Sequence, residues 1–241
     1  MKKKGVLGGA RPPAMIEMVH VNKAYDASPQ ALFDITLEVE KGKFVYLIGP
    51  SGAGKTTLLK LLYAAERPTK GEIRVNGFDV VRLKSREIPY LRRSLGVVFQ
   101  GYKLLSHRTA FENVAFALEV LGGRRREVLK KTTQALHLVG LELKGTCLPS
   151  QLSAGEQQRV AIARAIVNEP LLILADEPTG NIDLGATEEI MRLFDEINFR
   201  GATVVLATHN DRLPLMLPKE RIVLERGRMV ENTMFKPPVF D

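Results

Sequence analysis

Eight consecutive residues, Gly49-Pro-Ser-Gly-Ala-Gly-Lys55-Thr56, carry the pattern G-x-x-x-x-G-K-T. The chemistry this pattern suits is the binding of a phosphate chain. Glycines at 49, 52 and 54 let backbone N–H groups turn inward around phosphate oxygens, where side chains would obstruct them. Lys55 can reach the β- and γ-phosphates of a nucleotide, and the Thr56 hydroxyl can ligate Mg²⁺. Pro50, Ser51, Ala53 and Thr57 complete the loop and its exit.

A second constellation is Leu171-Leu-Ile-Leu-Ala-Asp176-Glu177, an apolar run long enough for a buried strand that ends in two carboxylates. At the carboxyl end of a parallel strand such groups face the crevice where nucleotides sit. Asp176 suits Mg²⁺, directly or through water, and Glu177 suits the orienting or deprotonation of an attacking water. Alone, the pair could equally open an ordinary loop.

The third is Leu152-Ser153-Ala154-Gly155-Glu156-Gln157-Gln158-Arg159. Ser153 with Glu156 is a capping box, which accounts for both residues by itself. The small residues that lead this helix also expose N–H groups to which a further phosphate could bind. Both readings hold together, because a well-capped helix is a well-aimed dipole.

These residues need particular elements to place them. Phe44–Ile48 is a nearly continuous apolar strand running into the Gly-rich loop, and Lys55–Ala65 has helical periodicity after it. Strand patterns also fall at Met15–Val21, Phe33–Glu40, Glu72–Asn76, Leu95–Phe99, Leu171–Ala175, Thr203–Ala207 and Arg221–Glu225, with a helix at Leu184–Phe199. From Gly101 to about Val167 the pattern is mainly helical, broken at Gly122-Gly123 and Pro149. Strand, helix and strand in alternation imply a parallel sheet covered on both faces. The helical stretch reads as a lobe, about 101–167, inserted into a domain spanning 15–232. Residues 1–14 read as a flexible arm and 233–241 as a loose tail.

The 241 residues hold one cysteine, Cys147, which excludes a disulfide framework within the chain and fits a reducing compartment. No run approaches the roughly 20 apolar residues that span a bilayer, so a membrane role would come through a partner. The formal charge is +8, with basic clusters at Lys2–Lys4, Arg124–Arg126 and Lys130–Lys131. They suit contact with an anionic lipid surface or nucleic acid, or are solvated faces.

The phosphate loop, Gln100 after a strand, the Leu-Ser-Ala-Gly-Glu-Gln stretch, Asp176-Glu177 and His209, in that order, resemble the ABC-type ATPases over roughly residues 15–232. The resemblance implies an α/β P-loop NTPase of ABC type, with a mainly parallel sheet core, an antiparallel β edge and an inserted helical lobe. It implies ATP and Mg²⁺ as ligands and hydrolysis to ADP and phosphate, with Glu177, His209 and Gln100 as catalytic residues. Gln100, with Thr56 and Asp176, would attend the Mg²⁺, and His209 would contact the γ-phosphate. It further implies a homodimer formed on ATP binding, head to tail, in which Ser153, Ala154, Gly155 and Glu156 complete the other subunit's site. Asn181–Asp183 becomes a dimer-communicating loop and Tyr25 an adenine-stacking aromatic. Taken singly, Tyr25 reads as a packed surface aromatic and His209 as a structural histidine. Ala154 departs from the family, which usually has Gly there.

Within that family, Gly49–Pro68, Ile88–Gln100, Leu104–Ala115 and Ala175–Asp183 are similar to the bacterial cell-division members. This implies an integral membrane partner of the FtsX type, docked beside Gln100 against Tyr102–Phe111. The chain would then be cytoplasmic, held at the inner face of the membrane through that partner. Lipoprotein-releasing and efflux relatives share ADEPTGN and GEQQRVAIARA and are the alternatives. A soluble ATPase acting on nucleic acid is the remaining one. It is disfavoured by the absence of long heptad runs between phosphate loop and signature, and by the single cassette.

Overall fold

The computed structural model describes residues 14–25 and 28–233. The expected arm and tail therefore lie outside the described residues, apart from their innermost positions. Ala14 opens the first strand, and Thr233 donates its N–H to the Arg221 carbonyl at 3.0 Å.

Two sheets form the body. The six-stranded one contains β3 (Phe44–Ile48), β6 (Leu95–Val98), β7 (Leu172–Asp176), β8 (Thr203–Thr208), β9 (Glu220–Glu225) and β10 (Arg228–Asn232), in the order β10-β9-β3-β8-β7-β6. All neighbours are parallel except β10, which turns back on β9. The four-stranded sheet, order β2-β1-β4-β5, is antiparallel: β1 (Ala14–Tyr25), β2 (Ser28–Glu40), β4 (Lys70–Val75) and β5 (Phe78–Asp79).

The central strands read as continuous apolar runs because both of their faces are buried. Phe44, Tyr46, Ile173, Ala175, Val204 and Leu206 face one core, and Val45, Leu47, Leu172, Leu174, Val205 and Ala207 face the other. This is the period-2 alternation of a strand, here apolar on both sides. The first core is closed by helices α3 (Ala110–Glu119), α4 (Arg125–Leu138), α5 (Ala154–Ile166) and α6 (Leu184–Phe199). The second is closed by α1 (Lys55–Leu62) together with the four-stranded sheet. Both faces of the parallel sheet are thus covered, as the alternation of strands and helices implies, one of them in part by the antiparallel sheet.

The differences are local. The helices of the lobe begin only at Ala110, since Gly101, Tyr102 and Lys103 all have positive φ and cannot start one. The short α2 (Ile88–Arg93), α7 (Leu213–Met216), β5 and β10 have too few residues to show a period. β10 returns through Arg226 and Gly227, both at positive φ, the geometry of a tight hairpin turn.

Candidate functional site

The phosphate loop leaves β3 at Gly49, where a Cβ would fall 2.2 Å from the Leu224 carbonyl oxygen, so only glycine fits. Gly54, at φ +103°, precedes α1, and its Cβ would collide with Ala31 and Leu32. No side chain caps α1, which leaves its first N–H groups directed at the loop. These features make a cradle that a polyanion fits.

Lys55 is buried. Its ammonium donates to the carbonyls of Gly49 (2.7 Å) and Pro50 (3.1 Å) and lies 3.4 Å from Glu177 Oε1. Glu177 follows β7 with φ +48°, a strained backbone for a non-glycine residue, and its N–H is fixed by the Ala207 carbonyl at 2.9 Å. His209 Nδ1 sits 2.9 Å from the same Glu177 oxygen, and the His209 N–H approaches Oε2 at 3.4 Å. β3, β7 and β8 are neighbours in the sheet, so their carboxyl ends bring Lys55, Glu177 and His209 to one point although the sequence separates them widely.

Asp176 closes β7 and is 8% exposed. Burial pushes its carboxyl above the usual carboxylate range, opposed by a hydrogen bond from the Thr56 hydroxyl and by Lys55. Its Oδ1 is buried with no hydrogen-bond partner among the described residues. A buried carboxylate oxygen left over beside a threonine hydroxyl fits a divalent cation or its water. Among the described residues no group of three His, Cys, Asp or Glu could hold a metal by itself. That suits Mg²⁺, which is typically shared between one or two protein oxygens and substrate phosphates.

Ser51, Gly52, Gly54, Lys55, Thr56, Thr57, Gln100, Glu177 and His209 line one cavity of about 450 Å³. Gln100 reaches it from the end of β6. Ala31 also lines it, a contribution from β2 that no local pattern signals.

Other expected residues lie elsewhere. Tyr25, at the end of β1, carries the Lys23 ammonium 4.6 Å from its ring centre and does not line the cavity. Ser153 caps α5, accepting the Glu156 N–H at 3.2 Å while the Glu156 carboxylate accepts the Ser153 N–H at 2.9 Å. Since Ser153 Oγ is the acceptor there, its proton is left to donate outward. Ala154 is exposed in the first turn, and Gly155 is buried, where a Cβ would lie 2.9 Å from the Ala186 Cβ. Asn181 is exposed, and Asp183 caps α6 through the Ala186 N–H at 2.9 Å. None of residues 153–156, 181 and 183 lines the phosphate cavity of this chain.

Residues 32–180 match the family model described as ABC transporter. The chain is 50% identical over 218 residues to the cell division ATP-binding protein FtsE of Bacillus subtilis, covering 90% of this chain and 96% of that protein. It is 49% identical over 215 residues to the FtsE of Escherichia coli K12, covering 89% and 97%. Among solved structures, a dimeric post-hydrolysis ATP-binding cassette bound to ADP and Pi matches with a TM-score of 0.81 at 35% identity, covering 90% of this chain and 97% of that one. A dimeric bacterial ABC transporter cassette matches with a TM-score of 0.82 at 36% identity, covering the same shares.

Proposed function

The chain belongs to the ABC transporter family, and on that premise we propose that it is the ATP-hydrolysing subunit of a membrane complex acting in bacterial cell division. It works as a head-to-tail homodimer. The observation that carries this reading is the convergence of Lys55, Glu177 and His209 on the cavity above the phosphate loop. The cell-division role rests on the two FtsE relatives, each matched along nearly its whole length.

The phosphate chain of ATP lies in the backbone cradle of residues 49–56. Its terminal phosphate draws the Lys55 ammonium, now 3.4 Å from Glu177, and so frees that carboxylate to face water. The water oxygen bonds to the γ-phosphorus, the bond to the bridging β–γ oxygen breaks, and Glu177 takes the proton, leaving ADP and phosphate. His209 holds Glu177 in place by donating from Nδ1. Thr56 and Asp176 would hold Mg²⁺, with Gln100 attending, and the ion would supply neutralisation of the charge that develops on the phosphate oxygens. The adenine stacks on Tyr25. Ser153, Ala154, Gly155 and Glu156 of one copy complete the site of the other, with Asn181 and Asp183 at the same seam.

No helix among the described residues is long and apolar enough to cross a membrane. On this reading an integral membrane partner of the FtsX type joins the chain beside Gln100, against Tyr102–Phe111, and holds it at the cytoplasmic face. Exposed Arg124, Arg125, Arg126 and Lys130 form no ion pair among the described residues and suit contact with anionic lipid, while Lys131 is engaged by Glu127 and Glu169. Lys2–Lys4 lies outside the described residues.

The test is Glu177→Gln. Turnover falls on the order of a hundredfold or more, ATP-bound dimers accumulate on size-exclusion chromatography, and cells carrying the variant fail to divide. Normal division with that variant would mean that hydrolysis is dispensable and the motor reading fails.

A further inference from the structure

The turn that joins α3 to α4 holds aliphatic side chains out in water. Val120 is 68% exposed, Leu121 37%, and Leu129, in the second turn of α4, 57%. The turn is closed by its own backbone. The N–H groups of Leu121 and Gly123 donate to the Leu118 carbonyl at 3.1 and 3.0 Å, and that of Gly122 to the Glu119 carbonyl at 2.9 Å. Position 123 leaves little room for a side chain, since a Cβ there would lie 3.0 Å from the Leu118 carbonyl oxygen and from Val128 Cγ2. Val120 and Leu121 are therefore presented by a tight, well-bonded corner.

The cations beside them are set against the helix that carries them. Arg124 is the N-cap of α4 and offers no side-chain cap, and Arg125 and Arg126 are its first two residues. This is the end of a helix at which the dipole disfavours positive charge. Arg126 and Lys130 stand four residues apart, a like-charge pair that destabilises a helix. Leu129 shares their face, turned away from the buried Val128, Thr132, Ala135 and Leu136. Elsewhere α4 matches its charge: Lys131 is engaged by Glu127 and Glu169, whereas these four exposed cations form no ion pair among the described residues. Local rules broken without compensation inside the chain point to a use outside it. A layer of external negative charge removes both penalties.

We propose that the α3–α4 tip is a foot that enters an anionic lipid surface, with Val120, Leu121 and Leu129 at the boundary between headgroups and acyl chains and Arg124, Arg125, Arg126 and Lys130 on the lipid phosphates. This rests on the membrane-complex reading given above and adds a second point of attachment to it. α3 starts at Ala110, within the segment assigned to the membrane partner, and its 10 residues rise about 15 Å to the tip. Both contacts are thus within reach of one membrane. Nucleic acid would use the same cations, but the exposed residues among them are aliphatic. Phe116, the nearest aromatic in sequence, is covered by the Arg108 guanidinium, 4.8 Å from its ring centre, so no bare ring is offered for bases to stack on. Aliphatic side chains gain by leaving water for acyl chains, and cations held at an anionic headgroup layer add to that gain.

The test is flotation of the full chain with vesicles of mixed phosphatidylglycerol and phosphatidylcholine, against vesicles of phosphatidylcholine alone. The wild type floats with the anionic vesicles, and less so as salt is raised. Arg125→Gln with Arg126→Gln lowers the partition coefficient about tenfold or more. Val120→Ser with Leu129→Gln lowers it about tenfold and leaves a weak, salt-sensitive remainder. Both pairs keep wild-type ATP turnover, which shows that they fold. The chain has no tryptophan, so Val120→Trp supplies a single reporter. On anionic vesicles its emission shifts to the blue and is quenched by brominated acyl chains. Leu143→Trp, at a residue 92% exposed beyond the other end of α4, shows neither change. A wild-type chain that does not float, flotation undiminished by either pair, or a reporter at 120 that stays in water while the chain floats overturns the proposal. So does an arginine pair that loses duplex DNA but keeps vesicles, which would make the surface one for nucleic acid. Failure of the tip alone leaves the chain in the membrane fraction of cells through its partner; a wild-type chain absent from that fraction sinks the membrane-complex reading instead.

Discussion

Gly155 is the residue of the signature stretch whose role the packing defines most sharply. A Cβ built there would lie 2.9 Å from the Ala186 Cβ, against the roughly 3.5–4.0 Å at which carbons pack comfortably. Gly155→Ala must push the first turns of α5 and α6 apart by roughly 0.6–1 Å. Overpacking of this kind costs about 1–3 kcal/mol, offset by up to about 1 kcal/mol because Ala is the better helix former. The net loss is about 1 kcal/mol, a fall in melting temperature of about 2–4 °C for a chain of this size. Ala186→Gly alone loses about as much through helix propensity. Combined, the two substitutions remove the collision and their propensities cancel, so the double variant melts near the wild type. The added Cβ points at α6 and away from the exposed face of Ser153, so ATPase activity returns along with stability. Additive losses would show that the helices do not meet at this pair. A restored melting temperature with activity still absent would show that Gly155 is needed for the approach of a phosphate, and the packing argument would fall.

Ala154, by contrast, is exposed in the first turn, so Ala154→Gly leaves ATPase within a few-fold of wild type in a steady-state assay. The hydrogen bond from the Ser153 N–H, and then Lys144, hold the Glu156 carboxyl below the usual carboxylate range. A folded pKa below the unfolded one means that the cap's contribution is present above the unfolded value and lost as pH falls through the folded value. The stability gap between wild type and Glu156→Gln, followed by thermal melts, therefore closes as pH is lowered below about 4. Mixing Lys55→Ala chains with Ser153→Arg chains concentrates both lesions in one site of a head-to-tail dimer and leaves the other whole. Activity then returns in the mixed dimers, and its absence in dimers shown to have formed would contradict either the arrangement or the independence of the two sites.

Contiguous chemistry was the most legible part of the molecule. The loop at Gly49–Thr56 and the pair Asp176-Glu177 each lie within a few residues, and the strands β3 and β7 leading to them are uninterrupted apolar runs. What periodicity cannot report is which strands become neighbours. The 3.4 Å approach of Lys55 to Glu177 depends on β8 lying between β3 and β7, a property of the whole sheet. The same limit hid Ala31, which meets Gly54 across a strand, and Arg164, whose partners lie about sixty residues earlier. Residues 101–109 followed a helical pattern only on average. The positive φ values at Gly101, Tyr102 and Lys103 accompany hydrogen bonds from the Arg164 guanidinium of α5 to the Tyr102 and Lys103 carbonyls, and no local propensity announces them.

On the proposed head-to-tail arrangement, one copy of the chain would be half of an active site. Ser153 is exposed at the start of α5, and no residue of 153–156 lines the phosphate cavity of the same chain. In that proposed dimer, closing two copies head to tail would bring each Ser153 to the other's phosphates, so ATP would bind the closed dimer with contacts that the open state lacks. Only that difference in affinity can drive closure: moving the equilibrium from about 1:99 to 99:1 requires roughly 10⁴-fold tighter binding to the closed form. Hydrolysis would remove the γ-phosphate that, on this proposal, both Lys55 and the opposing Ser153 hold, and with it the difference. On the proposed function Glu177, kept at φ +48° beside Lys55 and His209, would be the residue at which closure is ended, and the work delivered to a membrane partner would come from the cycle of closing and release.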